Sequence, residues 1–140
     1  MARQDNIATQ EKFGAAVSEG RLDEIRELMT DTVIDHDPAP DQGPGPEGFI
    51  RFFEKFRAAF PDLKVAAEHI VIDDENIAVA YTFTGTHKGT FMGVPATGQK
   101  IKARGMQIAR FENGKIAERW GSSDELGILR QIGARTLKAA

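Results

Sequence analysis

Apolar residues recur along this chain with two periods, and the change falls after Phe60. Before it the spacing is helical. From Asp5 to Glu19 helix-forming residues predominate, Phe13 and Val17 stand at i,i+4, and Gly20 sits where a helix C′ residue is expected. RLDEIRELM then places Leu22, Ile25, Leu28 and Met29 on one face of a short second helix. TVIDHD is short and β-branched and predicts a brief extended segment ending at Pro38. PAPDQGPGPEG, with four prolines and three glycines, excludes a regular element and predicts a surface loop. Pro46 suits the first position of a third helix, EGFIRFFEKFRAAF. Its Phe49, Phe53, Phe56 and Phe60 fall at i, i+4, i+7 and i+11, a buried stripe that Pro61 ends.

Beyond Pro61 the period is that of strands. LKVAAEHIVIDD and NIAVAYTFTGTHKG are joined by a polar turn around Asp74–Asn76, and Ile77, Val79, Tyr81 and Phe83 share one face. KIKARGMQIARF follows the glycine-containing FMGVPATGQ. Asn113-Gly114 is a strong hairpin signal, from which KIAERWGSS returns antiparallel. Counting outward from that turn puts Arg110 opposite Ala117 and Arg104 opposite Ser123. From Asp124, DELGILRQIG reads as a last helix with Leu126, Leu129 and Ile132 apolar and Gly133 as its stop. Helices first and hairpin-linked strands afterwards predict an α+β fold, an antiparallel sheet with helices on one face. A long curved sheet with helices over its concave side encloses a cone-shaped cavity.

Composition narrows the chemistry. At 140 residues the chain makes one domain, 1–140, and 41% hydrophobic with 28% charged residues is the balance of a soluble globule. Lys+Arg 18 against Asp+Glu 21 argues against a basic nucleic-acid-binding face. The absence of cysteine excludes disulfide scaffolds, thiolate nucleophiles and thiolate zinc sites. Three histidines, His36, His69 and His87, are too few for a histidine-rich metal centre. No apolar run approaches the ~20 residues of a membrane span, and MARQDNIATQEKF has no signal-peptide core, so a cytoplasmic location without a membrane partner is expected. Five of the nine phenylalanines lie between Phe49 and Phe60, enough for a thick core or a pocket wall. GPGPEG lacks the strand context and spacing of a dinucleotide loop.

Several motifs occur together in order: V-x-D-H-D-P near residue 35, P-E-G before an aromatic helix ending F-P-D-L, G-T-H-x-G-x-F-x-G-V-P-x-T-G, and R-F-x-N-G-K-I-x-E-x-W-x-x-x-D-x-x-x-x-x-x-Q-I-G. From about Phe13 to Gly133 the chain resembles the SnoaL-like polyketide cyclases, or ester cyclases, of the NTF2-like superfamily. The resemblance implies an NTF2-like cone and an intramolecular aldol condensation that closes a ring of an aromatic polyketide ester. It implies no metal or organic cofactor, a hydrophobic small-molecule substrate, and a homodimer formed through the open face of the sheet. The family's acid/base aspartate matches Asp124, after Trp120, and its pocket-lining histidine matches His36. Many relatives read E-H-W where this chain has Glu118-Arg119-Trp120. Alternation puts residue 119 on the face opposite Glu118 and Trp120, so little consequence is expected.

Each candidate also has a structural reading. Asp124 is either a carboxylate desolvated at a cavity mouth, taking a proton α to a carbonyl, or the N-cap of the last helix; one oxygen can serve each role. His36 stands between Asp35 and Asp37, so either the imidazole or the two aspartates face the cavity. Facing it, His36 would stabilise an enolate. His69 reads as a half-buried strand residue and His87 as packing for the long connection. Trp120, Phe49 and Phe53 are expected to shape the cavity. Arg104 is either part of a salt bridge within the sheet or a substrate-binding group paired with a carboxylate. With Asp124 and Asp37 it could form the water-activating set of limonene-type epoxide hydrolases. The same fold also hosts cofactor-free oxygenases and non-catalytic binding proteins.

Overall fold

The computed structural model describes residues 2–134. Helix α1 (Ala2–Glu19) starts at Ala2 rather than Asp5. It buries Asn6 and Thr9 as well as Phe13, Ala16 and Val17, and the Thr9 hydroxyl donates to the Gly114 carbonyl. The amphipathic run that follows is divided. A 3₁₀ turn (Leu22–Glu24) leads into one turn of helix, α2 (Ile25–Leu28), and Met29 already has extended backbone. Met29 therefore opens strand β1 (Met29–Asp35) instead of closing the helix, yet it is buried beside Ile25 as its apolar character requires.

Helix α3 (Gly45–Ala59) has Pro46 in its first turn and carries the phenylalanine stripe. Phe49 and Phe60 are buried, with Phe53 and Phe56 packed partly buried against the same core. Strands β2 (Lys64–Ile72), β3 (Asn76–Thr86), β4 (Lys100–Glu112) and β5 (Lys115–Ser123) follow, then helix α4 (Glu125–Gln131). Asn113 and Gly114 both take positive φ, 49° and 76°, the conformation that a tight β4–β5 turn demands.

The sheet order is β1-β5-β4-β3-β2. The four hairpin-linked strands are antiparallel, as expected, whereas β1 pairs with β5 in parallel. No hairpin ties β1 to its neighbour, so its direction is set by the connections and not by a turn. The sheet is curved and open, and the helices cover one face. Phe13, Val17, Ile25, Phe49, Ile50 and Phe60 bury that face together with Ile77, Val79, Phe83, Ala109, Phe111 and Ile116. No helix among the described residues is long and apolar enough to cross a membrane.

One irregularity sets the side-chain directions of β5. Phe111 lies opposite Ile116, but Arg110 lies opposite Glu118 rather than Ala117, and Gly105 rather than Arg104 faces Ser123. Ala117 is thus the extra residue of a β-bulge. Ile116 points into the core; without the bulge, alternation would send Glu118 and Trp120 the same way. With it, Arg119, Gly121 and Ser123 take the concave face.

His87 is wholly buried against Phe60, with ring centroids 5.6 Å apart. Its Nδ1 accepts the Thr97 amide at 3.2 Å and lies 2.9 Å from the Thr97 hydroxyl, so it fastens the connection between β3 and β4. His69 is exposed rather than half-buried, because β2 is an edge strand with no helix over that side chain.

Candidate active site

Between the helices and the concave face lie two adjoining compartments. The larger, about 580 Å³, is polar at one end, with Asp35, Asp37, Gln107, Arg119, Ser122 and Asp124 facing Phe49, Phe52 and Phe53. The smaller, about 320 Å³, is lined mainly by apolar groups, among them Val17, Phe56, Leu63, Val79, Tyr81 and Phe83. Phe13, Phe52, Phe53, Gln107, Arg119 and Ser123 line both, so the compartments meet across the Arg119 side chain. An apolar body with a polar end fits this shape.

The polar end is built by β1 and β5 running in parallel. Their pairing sets Asp35 beside Arg119. The guanidinium Nη1 donates to Asp35 Oδ1 at 3.2 Å, and Nε donates to Gln107 Oε1 at 3.2 Å. Nη1 also donates to the Asp37 carbonyl at 3.4 Å. The pair is mostly withdrawn from solvent, with the Asp35 side chain 7% exposed and Arg119 18%. Asp35 is further satisfied by the Asp37 amide at 3.0 Å and Gln42 Nε2 at 2.9 Å, while Asp37 Oδ2 accepts the Gly121 amide at 2.9 Å. Two glycines make room. A Cβ at Gly121 would lie 2.5 Å from Arg119 Nη2, and one at Gly105 would lie 2.5 Å from the Tyr81 hydroxyl. Burial pushes the Tyr81 hydroxyl up from its ordinary value, and the neighbouring Arg119 guanidinium opposes that shift.

Asp124 takes the capping position and also borders the cavity. It caps α4, its Oδ1 accepting the Gly127 amide at 2.8 Å, and it lines the larger compartment. Its backbone amide donates to the Arg104 carbonyl at 2.9 Å, which anchors the cap to β4. The side chain is exposed rather than desolvated at the cavity mouth as expected. Phe49 and Phe53 wall the larger compartment.

His36, Trp120 and Arg104 line neither compartment. The phase change at Ala117 sends Trp120 to the convex face. His36, alternating with Asp35 and Asp37, lies there too, its ring stacked on Trp120 at 4.6 Å and 6°. His36 Nε2 lies 2.9 Å from Glu118 Oε1, and Glu118 Oε2 accepts from Arg110 Nε. Arg110 first, then His36, holds the Glu118 carboxyl below the usual carboxylate range. Arg104 projects from β4 on the exposed side, one residue out of phase with Gly105 and Ala103. Of the alternatives open at His36, the aspartates are the residues that face the cavity. Arg119, expected to be inconsequential, is at its centre. The signal that could have found it is the pair of glycines, Gly105 and Gly121, on strands otherwise rich in large side chains. Among the described residues no group of three or more His, Cys, Asp and Glu could hold a metal ion.

A model of the SnoaL-like polyketide cyclase family matches residues 7–132. The aklanonic acid methyl ester cyclase DnrD of Streptomyces peucetius is 26% identical over 125 residues, covering 84% of this chain and 83% of the relative. The structure of TsrD from Streptomyces laurentii superposes with a TM-score of 0.87 at 26% identity, covering 96% of this chain and 98% of that one. A SnoaL-like polyketide cyclase from Agrobacterium tumefaciens superposes with a TM-score of 0.75 at 26% identity, covering 91% of this chain and 98% of the other.

Proposed function

The chain belongs to the SnoaL-like polyketide cyclase family, and we propose that it closes a ring by intramolecular aldol condensation in a hydrophobic carbonyl substrate. The observation that carries this reading is the joining of an aromatic-walled apolar compartment to a polar one with the Asp124 carboxylate at its edge. Asp124 is the acid/base. It takes a proton from the carbon between two activating carbonyls, the resulting enolate carbon attacks a third carbonyl carbon, and the new alkoxide takes the proton back from Asp124. Atoms and electrons balance within the substrate. Asp124 is exposed at the cavity edge, where a bound substrate's carbon acid can reach it. A methyl ester of the kind named for the Streptomyces peucetius relative suits a cavity with an apolar compartment and a polar end.

The test is ring closure of an aromatic β-keto ester carrying a second ketone within reach, followed by absorbance. Asp124→Asn is expected to lower kcat by about 10²- to 10⁴-fold while binding stays within a few-fold. Equal kcat in variant and wild type would remove the acid/base role, and binding without turnover in wild type would favour a non-catalytic carrier.

A hydrolytic reading has one observation in its favour. Arg119 touches both Asp35 and the Asp37 backbone, an arrangement that resembles an Asp–Arg–Asp set, although Arg104 and Asp124 are not its members. Opening of a 1,2-epoxide that is lost in Asp35→Asn and kept in Asp124→Asn would select it.

We further propose a homodimer through the convex face. Ile34, Val71, Met106 and Ile108 are 51%, 59%, 64% and 45% exposed there, beside the His36–Trp120 stack. Exposed apolar side chains gathered on one sheet face suit an association surface.

A further inference from the structure

We propose that Arg119 is the electrophile of the site, the group that receives the negative charge developing on the substrate carbonyl oxygen, and that Asp35 is its positioning residue. This rests on the ring-closure reading above. Among the described residues that line either compartment Arg119 is the one cation, with no lysine or histidine beside it. The imidazole that the motif suggested for this task lies on the opposite face of the sheet. A substrate whose apolar body fills the smaller compartment must present its polar end where the two meet, and Arg119 lines both sides of that junction.

The guanidinium is fixed from several directions. Gln107 takes Nε, Asp35 and the Asp37 carbonyl take Nη1, and the bare backbone of Gly121 leaves space for Nη2. A planar fork held in this way keeps N–H groups in a set direction and costs little reorganisation when an oxyanion forms. Asp35 does not cancel it. Two further donors, the Asp37 amide and Gln42 Nε2, share that carboxylate's charge. Tyr81, seated over Gly105 beside the guanidinium, supplies a neutral hydroxyl whose proton burial helps to retain. A guanidinium has N–H donors and no acceptor, so Arg119 serves as a donor and leaves proton transfer to Asp124.

The experiment reads charge stabilisation without turnover. 6-Cyano-2-naphthol, whose neutral and ionised forms absorb at different wavelengths, is bound to the full chain and titrated. An opposite charge in contact lowers a pKa by about one to three units, so the bound naphthol is expected to ionise at least tenfold more readily than the free one. Arg119→Gln is expected to abolish that shift, and Asp35→Asn to reduce it by loosening the guanidinium. Asp124→Asn leaves the shift in place while removing ring closure, so failure of the electrophile and failure of the acid/base are read separately. Should the glutamine variant not fold, Arg119→Lys carries the test, because it keeps the charge without the fork and must give a smaller shift. A wild-type naphthol that titrates at or above its free value, an unchanged shift in Arg119→Gln, or no binding at all would each overturn the proposal.

Discussion

Gly121→Ala isolates the placement of Arg119 from its charge. The added methyl would stand 2.5 Å from Nη2, 2.7 Å from Cζ and 3.0 Å from Nε of Arg119. Gly121 does not have positive φ, so the backbone accepts alanine without strain. The guanidinium is the far end of a flexible side chain and must yield, which separates it from Asp35 and Gln107. Hydrogen bonds to charged groups contribute about 1.5–3 kcal/mol each. Asp35 keeps two other donors, and water can enter the larger compartment, so the lower end applies. A loss of about 1.5 kcal/mol corresponds to a fall in Tm of roughly 5 °C for a chain of this size. Denaturant unfolding of Gly121→Ala, Asp35→Asn and the double variant closes a cycle. If the methyl acts by displacing Arg119 from Asp35, it costs less once Asp35 is already neutral, with a coupling of about 1 kcal/mol. Costs that add to within about 0.5 kcal/mol would refute the reasoning, since the two positions would then be energetically independent.

Phe60→Ala is expected to cost about 3–5 kcal/mol in denaturant unfolding, because Phe60 is fully buried with ring contacts to Phe56, Phe91 and His87. Asp62 accepts the Thr86 amide and hydroxyl, each at 2.7 Å, which hold its carboxyl below the ordinary value. Its folded pKa is thus lower than its unfolded one, so its contribution is complete above about pH 4 and disappears as pH falls through the folded value. Asp62→Asn should accordingly lower Tm at pH 7 and converge with wild type in strong acid; an equal deficit at both ends would contradict it. Ile108→Lys, placed opposite Trp120 on the convex face, should convert a dimer to a monomer in light scattering without changing the cavity.

Where local chemistry decided the outcome, the sequence was readable. The phenylalanine stripe of α3, the Asn113-Gly114 turn and the cap at Asp124 each follow from neighbours a few residues apart. The cavity itself was foreseeable from helices preceding hairpins, and so were Phe49, Phe53 and Asp124 on its wall. Met29 was misplaced because an apolar residue satisfies the core equally from a helix's last turn or a strand's first position, and periodicity cannot separate them. The parallel pairing of β1 was hidden for a different reason. Direction at a sheet edge depends on a partner more than eighty residues away in sequence, as Asp35 and Arg119 are.

The orientation of β5 turns on a single residue. Strand alternation is a parity, so one inserted residue reverses every assignment downstream of it. Ala117 is that residue, and its bulge exchanges Glu118 and Trp120 for Arg119 and Gly121 on the concave face. Nothing in KIAERWGSS marks Ala117 as the insertion, because its small apolar side chain is buried in either phase. The polar residues carry the clue instead. An unbulged β5 would place Glu118 against the core opposite an apolar wall, with no cation to meet it, and would send Arg119 out to solvent over Gly121. The bulged strand gives both charges partners, Arg110 and His36 for Glu118, Asp35 for Arg119. Buried or half-buried charge must be paired, and on that criterion β5 has one acceptable phase, the one that turns Arg119 toward the cavity.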